Sequence, residues 1–292
     1  MTTLTPTIKL NDGTAVPWLA FGTGTALYGR DATNAIRLAV DKGITHLDGA
    51  QIYDNEETLG AGIRSAGKPR SELYIVTKLK GLNPGQTVKE TLVISLKKLG
   101  VDYVDLFLVH SPHPANVDGT LKAVWQGMEE VKREGLARSI GVSNFRVEDL
   151  QTVLDGATVV PAVNQIELHP YVWKAAEPIV KFGLEHGITP ASYGGQTPLV
   201  RAAGGPVDAV LTGIQGRLEN ACGKSVTPGQ VLTKWIIQKG AIVVTTTSKE
   251  SRIAEFQDTI SVPDLTKEEI DAIEEAGSKL HKRIYMKAVF GE

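Results

Sequence analysis

The sequence has very little cysteine, no excess of charge of either sign and no long apolar stretch. Its one cysteine, Cys222, can form neither an internal disulfide nor a cysteine-ligated zinc site, so we expect a reducing, cytoplasmic setting and no metal. The 31 lysines and arginines nearly balance the 33 aspartates and glutamates, which argues against a nucleic-acid partner. No apolar run approaches the roughly 18 residues of a membrane span. The N-terminal residues also lack the features of a secretory signal.

What the sequence does contain is a regular alternation of short apolar runs. Hydrophobic residues make up 42% of the 292 and charged residues 22%, which is typical of a globular protein and excludes disorder. Asn11-Asp12-Gly13 predicts a tight β-hairpin near the start of the chain. Eight β-branched or apolar runs then predict strands, over Trp18–Thr23, Thr45–Ala50, Leu73–Leu79, Val104–His110, Arg138–Asn144, Ala162–Leu168, Ile188–Tyr193 and Ala241–Thr247.

Segments with helical spacing separate these runs. They cover Thr33–Lys42, Thr87–Leu99, Thr120–Glu134, Val147–Leu154, Glu177–His186, Val207–Gly216 and Pro228–Gln238. Eight strand–helix units without a linker predict an α/β fold, a (β/α)8 TIM barrel that forms one domain over residues 1–292. We also expect an extra C-terminal helix over Leu265–Ala276 and an irregular tail from Gly277.

Four titratable residues follow the ends of consecutive predicted strands. Asp48, Lys78 and His110 end the second, third and fourth runs, and Tyr53 lies one short loop after Asp48. In a barrel these ends meet at one mouth, where the reactive groups of such enzymes lie. The alternative is an ordinary ion pair between Asp48 and Lys78 beside a hydrogen-bonded His110. Convergence of all four favours a catalytic site.

The four side chains suit the reduction of a carbonyl group. A free tyrosine has a pKa of about 10. We expect the Lys78 ammonium, held by Asp48, to lower the pKa of Tyr53, so that the phenol can transfer a proton. His110 can orient the substrate oxygen. Trp18 and His113 flank the first and fourth runs, and we expect them to form walls of the substrate pocket.

Such a reduction needs a nicotinamide cofactor, and one loop has the composition of a phosphate site. The residues after the last run include Thr246, Thr247, Ser248, Lys249 and Arg252. The spacing of Thr247 and Glu250 predicts a capping box that starts a helix, whose N-terminus would bind an anion. The alternative is a capped helix with solvated charges. The glycine patterns at 22–24 and 62–68 match neither dinucleotide nor P-loop motifs and are interpreted as turns.

Several blocks of the sequence, in order, resemble the aldo-keto reductase family. They are the segment from Gly43 to Glu56 (GITHLDGAQIYDNE), Lys78, the run VDLFLVH at 104–110, GVSNF at 141–145 and VNQIE at 163–167. The resemblance implies a TIM barrel that uses NADPH, with a catalytic tetrad of Asp48, Tyr53, Lys78 and His110. It further implies cofactor contacts by Gly22, Thr23, Ser143, Asn144, Gln165, Tyr193, Gly194, Gln196, Thr246, Thr247, Ser248, Lys249 and Arg252.

The chain departs from the family pattern at a few places. Gly49 follows Asp48 where threonine is usual, and Gly194-Gly195-Gln196 replaces Ser-Pro-Leu. The final loop resembles the fungal branch that acts on ketopantoyl lactone, conjugated polyketones and α-keto amides, which favours α-dicarbonyl substrates. We expect a small-molecule carbonyl substrate and a monomer or weak homodimer. The alternatives are an imine reductase, a non-catalytic NADP-binding regulatory subunit and a cofactor-free barrel isomerase or lyase.

Overall fold

A short antiparallel hairpin precedes the barrel in the computed structural model, which describes residues 6–113, 115 and 119–292. Its strands are β1 (Thr7–Lys9) and β2 (Ala15–Pro17), paired with Ile8 opposite Val16. Gly13 has a φ of 84°, the left-handed conformation that this tight turn requires of a glycine. Leu10 and Val16 pack against apolar residues of the barrel interior. The predicted hairpin is confirmed, and it covers one end of the barrel.

Eight parallel strands close into a barrel within the described part of the chain. They are β3 (Leu19–Gly22), β4 (His46–Asp48), β5 (Tyr74–Leu79), β6 (Val104–Val109), β7 (Ala137–Ser143), β8 (Val163–Glu167), β9 (Thr189–Tyr193) and β10 (Ile242–Thr245). Each strand pairs with the next along the chain, and β10 pairs with both β9 and β3. The predicted (β/α)8 fold is confirmed. Because all eight strands run the same way, their carboxyl ends meet at the mouth opposite the hairpin.

Helices cover the outside of this barrel. They are α1 (Thr33–Asp41), α2 (Glu56–Ala66), α3 (Val88–Leu99), α4 (Leu121–Arg133), α5 (Val147–Leu154), α6 (Trp173–Glu185), α7 (Thr197–Val200), α8 (Val207–Cys222), α9 (Pro228–Gln238), α10 (Glu250–Asp258), α11 (Lys267–Ser278) and α12 (Lys287–Phe290). Single 3₁₀ turns occur at Gln51–Tyr53, Arg70–Glu72 and Thr259–Ser261. Within the ranges described above, no helix has the length and apolarity that crossing a membrane requires.

Helix α2 is absent from the sequence prediction, because two glycines weaken its helical pattern. Both serve close packing between helices. A β-carbon on Gly60 would lie 2.4 Å from the carbonyl oxygen of Leu99, and one on Gly62 would lie 2.6 Å from Cβ of Ile36. The interpretation of residues 62–68 as a turn is therefore wrong: the helix continues to Ala66 and ends at Gly67 in the left-handed conformation.

Other helix boundaries differ in ways that have local causes. Helix α6 begins at Trp173, before the predicted start, and runs through Pro178. Proline is most common in the first turn of a helix, whereas Pro178 lies in the second turn of α6, so the helix begins earlier than predicted. Helix α8 extends six residues beyond Gly216. The tail after α11 contains the short helix α12 rather than irregular chain throughout.

Candidate active site

A cavity of about 450 Å³ opens at the carboxyl ends of the barrel strands. Most of the predicted site residues line it: Gly22, Asp48, Tyr53, His110, Ser143, Asn144, Gln165, Tyr193, Gly194, Gln196, Thr246 and Arg252. Several of them lie at or near strand ends, and the β-sheet register places them side by side. Gly22 pairs with Asp48, and Ser143 pairs with Gln165.

A buried ion pair lies at the base of this cavity. Lys78, which is 0% exposed, donates from Nζ to Oδ1 of Asp48 over 2.6 Å and to the carbonyl oxygen of Gly49 over 2.8 Å. The second carboxylate oxygen of Asp48 accepts from Nε2 of Gln165 over 2.9 Å. Lys78 Nζ also lies 3.4 Å from the hydroxyl of Tyr53, in the 3₁₀ turn after β4. The structure therefore brings together three members of the predicted tetrad.

The protonation of Tyr53 differs from the expectation. Burial raises the pKa of Tyr53 well above its ordinary value, and the negative charge of Asp48 acts in the same direction. Burial also lowers the pKa of Lys78, because the charged ammonium loses its hydration. The expected net lowering of the Tyr53 pKa is not found, because burial and the charge of Asp48 outweigh the attraction of the nearby Lys78 ammonium for a phenolate. Tyr53 is a neutral phenol at physiological pH, and its hydroxyl carries a proton that can be donated.

His110 completes the group immediately after β6. Its ring centroid lies 5.4 Å from that of Tyr53, with the two planes almost perpendicular. Burial, followed by the positive charge of Lys78, lowers the pKa of His110 to about 3. The imidazole is therefore uncharged at neutral pH. Its buried Nδ1 has no hydrogen-bond partner among the described residues.

The backbone at Gly24 lies close to the ring of Tyr53 and helps to position its phenol. A β-carbon on Gly24 would lie 2.4 Å from Cζ of the Tyr53 ring, far inside the contact distance, so a glycine is required there. The amide of Asn55 ties the two loops together, because its Nδ2 donates to the carbonyl oxygens of Thr23 and Leu27. The backbone of Gly29 also donates to the carbonyl oxygen of Tyr53 over 2.8 Å.

A hydrogen-bonded cluster occupies another wall, formed by residues of β7, β8 and β9 and by Asn144 directly after β7. Asn144 has a φ of 61°, a left-handed conformation that asparagine tolerates better than most residues. Its Nδ2 donates to the His110 carbonyl oxygen and to Oγ of Ser143, and its Oδ1 accepts from the Tyr193 hydroxyl over 2.7 Å. Ser143 Oγ in turn donates to the carbonyl oxygen of Gln165. These contacts hold four of the predicted cofactor residues in one rigid surface.

The far end of the cavity lies between β10 and α10. Arg252 lines it, with Nη1 at 3.3 Å from a Glu255 carboxylate oxygen and its guanidinium 5.5 Å from the Phe256 ring centre. Gln196 contributes a buried Oε1 that has no partner among the described residues. A β-carbon on Gly195 would lie 2.4 Å from Cδ1 of Ile236, so a side chain there would have to displace the end of that isoleucine. The cavity therefore extends from Tyr53 to Arg252 as a groove, with the backbone of Gly194 and Gly195 in its wall.

Some predicted cofactor residues do not line the cavity. Thr23 is buried beside β4, where its hydroxyl donates to the Asp48 carbonyl oxygen. The predicted capping box does not form, because α10 begins at Glu250 and Thr247 Oγ1 accepts from the backbone of Lys249 instead. This local turn leaves Ser248 and Lys249 exposed to solvent.

The two residues predicted as substrate walls, Trp18 and His113, also lie outside the cavity lining. Trp18 is only 5% exposed and precedes β3, so it belongs to the apolar core at the hairpin end of the barrel. The prediction placed it at the wrong end of its strand. His113 is exposed in the loop after β6 and is not part of the cavity lining.

The walls that the structure does provide come from two segments without a sequence motif. Tyr28, in the loop after β3, lies with its ring centre 6.1 Å from that of Tyr53. Tyr285 and Met286, in the C-terminal tail, line the cavity from the other side. In the sequence, these walls were indicated only by apolar and aromatic residues in segments that were otherwise interpreted as loops.

A buried carboxylate holds the C-terminal tail over the mouth. Glu167, at the end of β8, is 0% exposed and accepts hydrogen bonds from the backbone amides of Ile284 and Tyr285. It also accepts from Nε2 of His169 over 2.9 Å. These bonds satisfy a charge that would otherwise be costly to bury, and they fix Tyr285 beside Tyr193, with ring centres 5.6 Å apart.

Three buried histidines should make the fold sensitive to acid. Burial lowers the pKa of His46 and His169 and takes that of His110 to about 3, so the unfolded chain binds more protons below about pH 6.5. The free energy of unfolding should therefore decrease as the pH is lowered below about 6.5. The decrease is about 1.4 kcal/mol per pH unit for each additional proton that the unfolded chain binds. Urea unfolding at pH 7.5 and 5.5 measures this, and His110→Gln should reduce the difference. An equal free energy at the two pH values would contradict it.

The chain matches a family model and closely similar proteins. The model of the Aldo/keto reductase family matches residues 18–199. A Schizosaccharomyces pombe protein named NAD/NADP-dependent indole-3-acetaldehyde reductase is 39% identical, over 94% of this chain and 96% of that protein. The NADPH-dependent alpha-keto amide reductase of Saccharomyces cerevisiae is 35% identical, over 97% and 95%.

A solved structure agrees with these sequence matches. The Bombyx mori aldo-keto reductase, crystallised in complex with NADP, superimposes with a TM-score of 0.82 at 33% identity, covering 98% of this chain and 97% of the other. The barrel, the cluster at its mouth and the matches over nearly the whole chain lead to one assignment. The chain belongs to the aldo/keto reductase family.

Proposed function

We propose that the protein is an NADPH-dependent carbonyl reductase. The observation that carries the proposal is the convergence of Tyr53, Lys78, Asp48 and His110 at the base of one cavity. Relatives that are named as NADPH- or NAD/NADP-dependent reductases of aldehydes and keto amides support it. An assembled set of proton-transfer groups favours catalysis over a role limited to binding the cofactor.

The four side chains have distinct parts in this proposal. The substrate oxygen binds between the Tyr53 hydroxyl and the uncharged His110 ring, which orients it. Tyr53 donates its proton to that oxygen as negative charge develops there. The ammonium of Lys78, 3.4 Å away, then stabilises the phenolate that remains. Asp48 holds the ammonium in place through the 2.6 Å bond.

The groove that leads from Tyr53 to Arg252 fits a nicotinamide dinucleotide, which supplies a hydride to the carbonyl carbon when it is bound. Ser143, Asn144 and Gln165 would hold the carboxamide, and Tyr193 would stack on the ring. The glycine backbone around Gln196 provides space beside the phosphates, and the free Oε1 of Gln196 can accept a hydrogen bond from a ribose hydroxyl. Thr246 and Arg252 would meet the 2′-phosphate. Thr23, Thr247, Ser248 and Lys249 are not part of this assignment.

Arg252→Ala should weaken NADPH binding much more than NADH binding, because only NADPH carries the phosphate that the guanidinium would meet. A hydrogen bond to a charged group contributes about 1.5–3 kcal/mol, so we expect the Kd for NADPH to rise roughly tenfold to a hundredfold. Fluorescence quenching measures both constants. The matched control is Arg133→Gln on the exposed surface of α4. Equal losses for the two cofactors would contradict the assignment.

The defining experiment follows NADPH consumption by the purified protein with ketopantoyl lactone, isatin, an α-keto ester, an aldose and a cyclic imine, with NADH in parallel. Rapid turnover of a carbonyl compound with NADPH is the expected result. Tight NADPH binding without turnover of any carbonyl compound would indicate a regulatory subunit, and turnover of the imine alone would indicate an imine reductase. Absence of cofactor binding would overturn the proposal.

The proposal extends to the substrate preference, the domain organisation and the oligomeric state of the protein. The similarity to a keto amide reductase supports α-dicarbonyl compounds as preferred substrates. We further propose that residues 1–292 act as one domain, as a monomer or weak homodimer in the cytoplasm. Size-exclusion chromatography with light scattering tests the oligomeric state.

A further inference from the structure

One side chain in the cavity wall has no place in the tetrad or in the proposed cofactor site. Arg201 follows the short helix α7, and its backbone amide donates to the Thr197 carbonyl oxygen over 2.9 Å, which fixes the turn that carries it. The side chain lines the cavity and is exposed. It is thus a cation set at the mouth of the active site.

In the described part of the chain, no carboxylate pairs with the charge of Arg201. Among the residues that the structure describes, its guanidinium forms no ion pair, and its one ring contact is with Tyr285, at 5.8 Å from the ring centre. The carboxylate in the cavity lining, that of Asp48, is already paired with Lys78. The other lining arginine, Arg252, contacts Glu255. Arg201 is therefore available to an anion in the cavity.

Its neighbours place Arg201 at the end of the cavity where the carbonyl compound binds. Tyr285 packs against Tyr193, with ring centres 5.6 Å apart, and both line the same cavity as the proton donor Tyr53. Arg252 and Phe256 mark the other end. The charge at Arg201 therefore adjoins the substrate region rather than the proposed 2′-phosphate site.

Part of the lining of this cavity is apolar and open to solvent. Tyr28 and Val200 are 51% and 63% exposed, large values for such side chains, and Ile52 joins them in the cavity lining. Unlike exposed apolar residues scattered over a surface, these adjoin one opening. They offer contact to a flat or bulky hydrocarbon body that extends outward from the carbonyl group.

We propose that the preferred substrates are aromatic or bulky apolar carbonyl compounds that carry a carboxylate, and that Arg201 binds that carboxylate. The inference rests on the proposed function, because it takes the carbonyl group to lie at Tyr53 and His110. The guanidinium can donate two parallel hydrogen bonds to a carboxylate, which gives both affinity and orientation. Tyr28 and Tyr285 would contact the aromatic body on its two sides.

The test compares substrates that differ only in the charge. The probes are 3- and 4-carboxybenzaldehyde and their methyl esters, assayed by NADPH consumption with the wild-type protein and with Arg201→Gln. We expect kcat/KM for the better acid to fall about tenfold or more in the variant, mainly through KM, and kcat/KM for its ester to stay within about twofold. Arg201→Lys should restore part of the kcat/KM lost for the acid, and Arg133→Gln should leave kcat/KM unchanged for both substrates.

The outcomes separate the inference from the function on which it rests. Equal losses for acid and ester, with a raised Kd for NADPH, would show that Arg201 serves the cofactor phosphates, and would overturn the inference alone. Unchanged kinetics for both substrates would also overturn it. If the wild-type protein reduced none of the four aldehydes or the carbonyl compounds of the defining assay, the proposed function would fail and the inference with it.

Discussion

Tyr53→Phe should abolish carbonyl reduction and leave cofactor binding unchanged. The substitution removes only the hydroxyl that donates the proton, and the ring keeps its contacts with Tyr28 and His110. A positioned acid contributes roughly a hundredfold to ten-thousandfold, and we expect kcat to fall within that range at least. Single-turnover assays measure the rate, and fluorescence quenching measures the Kd for NADPH.

The matched control for this experiment is Tyr103→Phe. It removes a hydroxyl from a tyrosine outside the cavity lining, whose ring contacts Arg70 and Arg138, so it should retain the wild-type activity. A Tyr53→Phe protein that kept more than about a tenth of the wild-type kcat would show that another group supplies the proton.

Lys78→Met should destabilise the protein as well as inactivate it. Lys78 is 0% exposed, and its loss leaves the carboxylate of Asp48, itself 2% exposed, without a counter-ion. Breaking a buried pair on one side costs about 3–5 kcal/mol, so the free energy of unfolding should fall by that amount. Urea unfolding measures the loss. Lys267→Met, which removes an exposed ion pair with Asp271, should leave the unfolding midpoint almost unchanged.

A double variant distinguishes the structural part of this pair from the catalytic part. Adding Asp48→Asn to Lys78→Met removes the uncompensated charge, so much of the stability should return. Activity should not return, because the ammonium beside the Tyr53 hydroxyl is still missing. A double variant that regained activity together with stability would show that the pair supports only the fold, which was the alternative that the sequence left open.

The barrel and the tetrad were predictable for the same physical reason. Alternating strand and helix patterns define the order of a parallel barrel, and a parallel barrel brings its strand ends together. Asp48, Lys78 and His110 lie at or directly after strand ends, so their convergence followed from the fold. Trp18 shows the limit of this reasoning, because an error about which end of a strand a residue occupies moves it to the opposite face of the protein.

The substrate walls could not be predicted, because they depend on contacts distant in sequence. Tyr285 is held at the mouth by Glu167, 118 residues earlier, which accepts its backbone amide. Tyr28 is placed by the link from Asn55 to the Leu27 carbonyl oxygen. Neither bond leaves a periodic pattern in the sequence. The capping box predicted in the phosphate loop does not form for a local reason, since Thr247 forms a turn with Lys249 there.

The contact between Gly24 and Tyr53 limits how this sequence can vary. As long as the phenol keeps its position, every residue with a β-carbon is excluded from position 24, since that atom would overlap the ring. A larger residue could appear there only together with a shift of the Tyr53 turn, which Asn55 and Gly29 hold in place. Positions 24 and 53 are therefore coupled. In directed evolution of the substrate pocket, substitutions at position 24 should be tested jointly with changes in the loops on both sides.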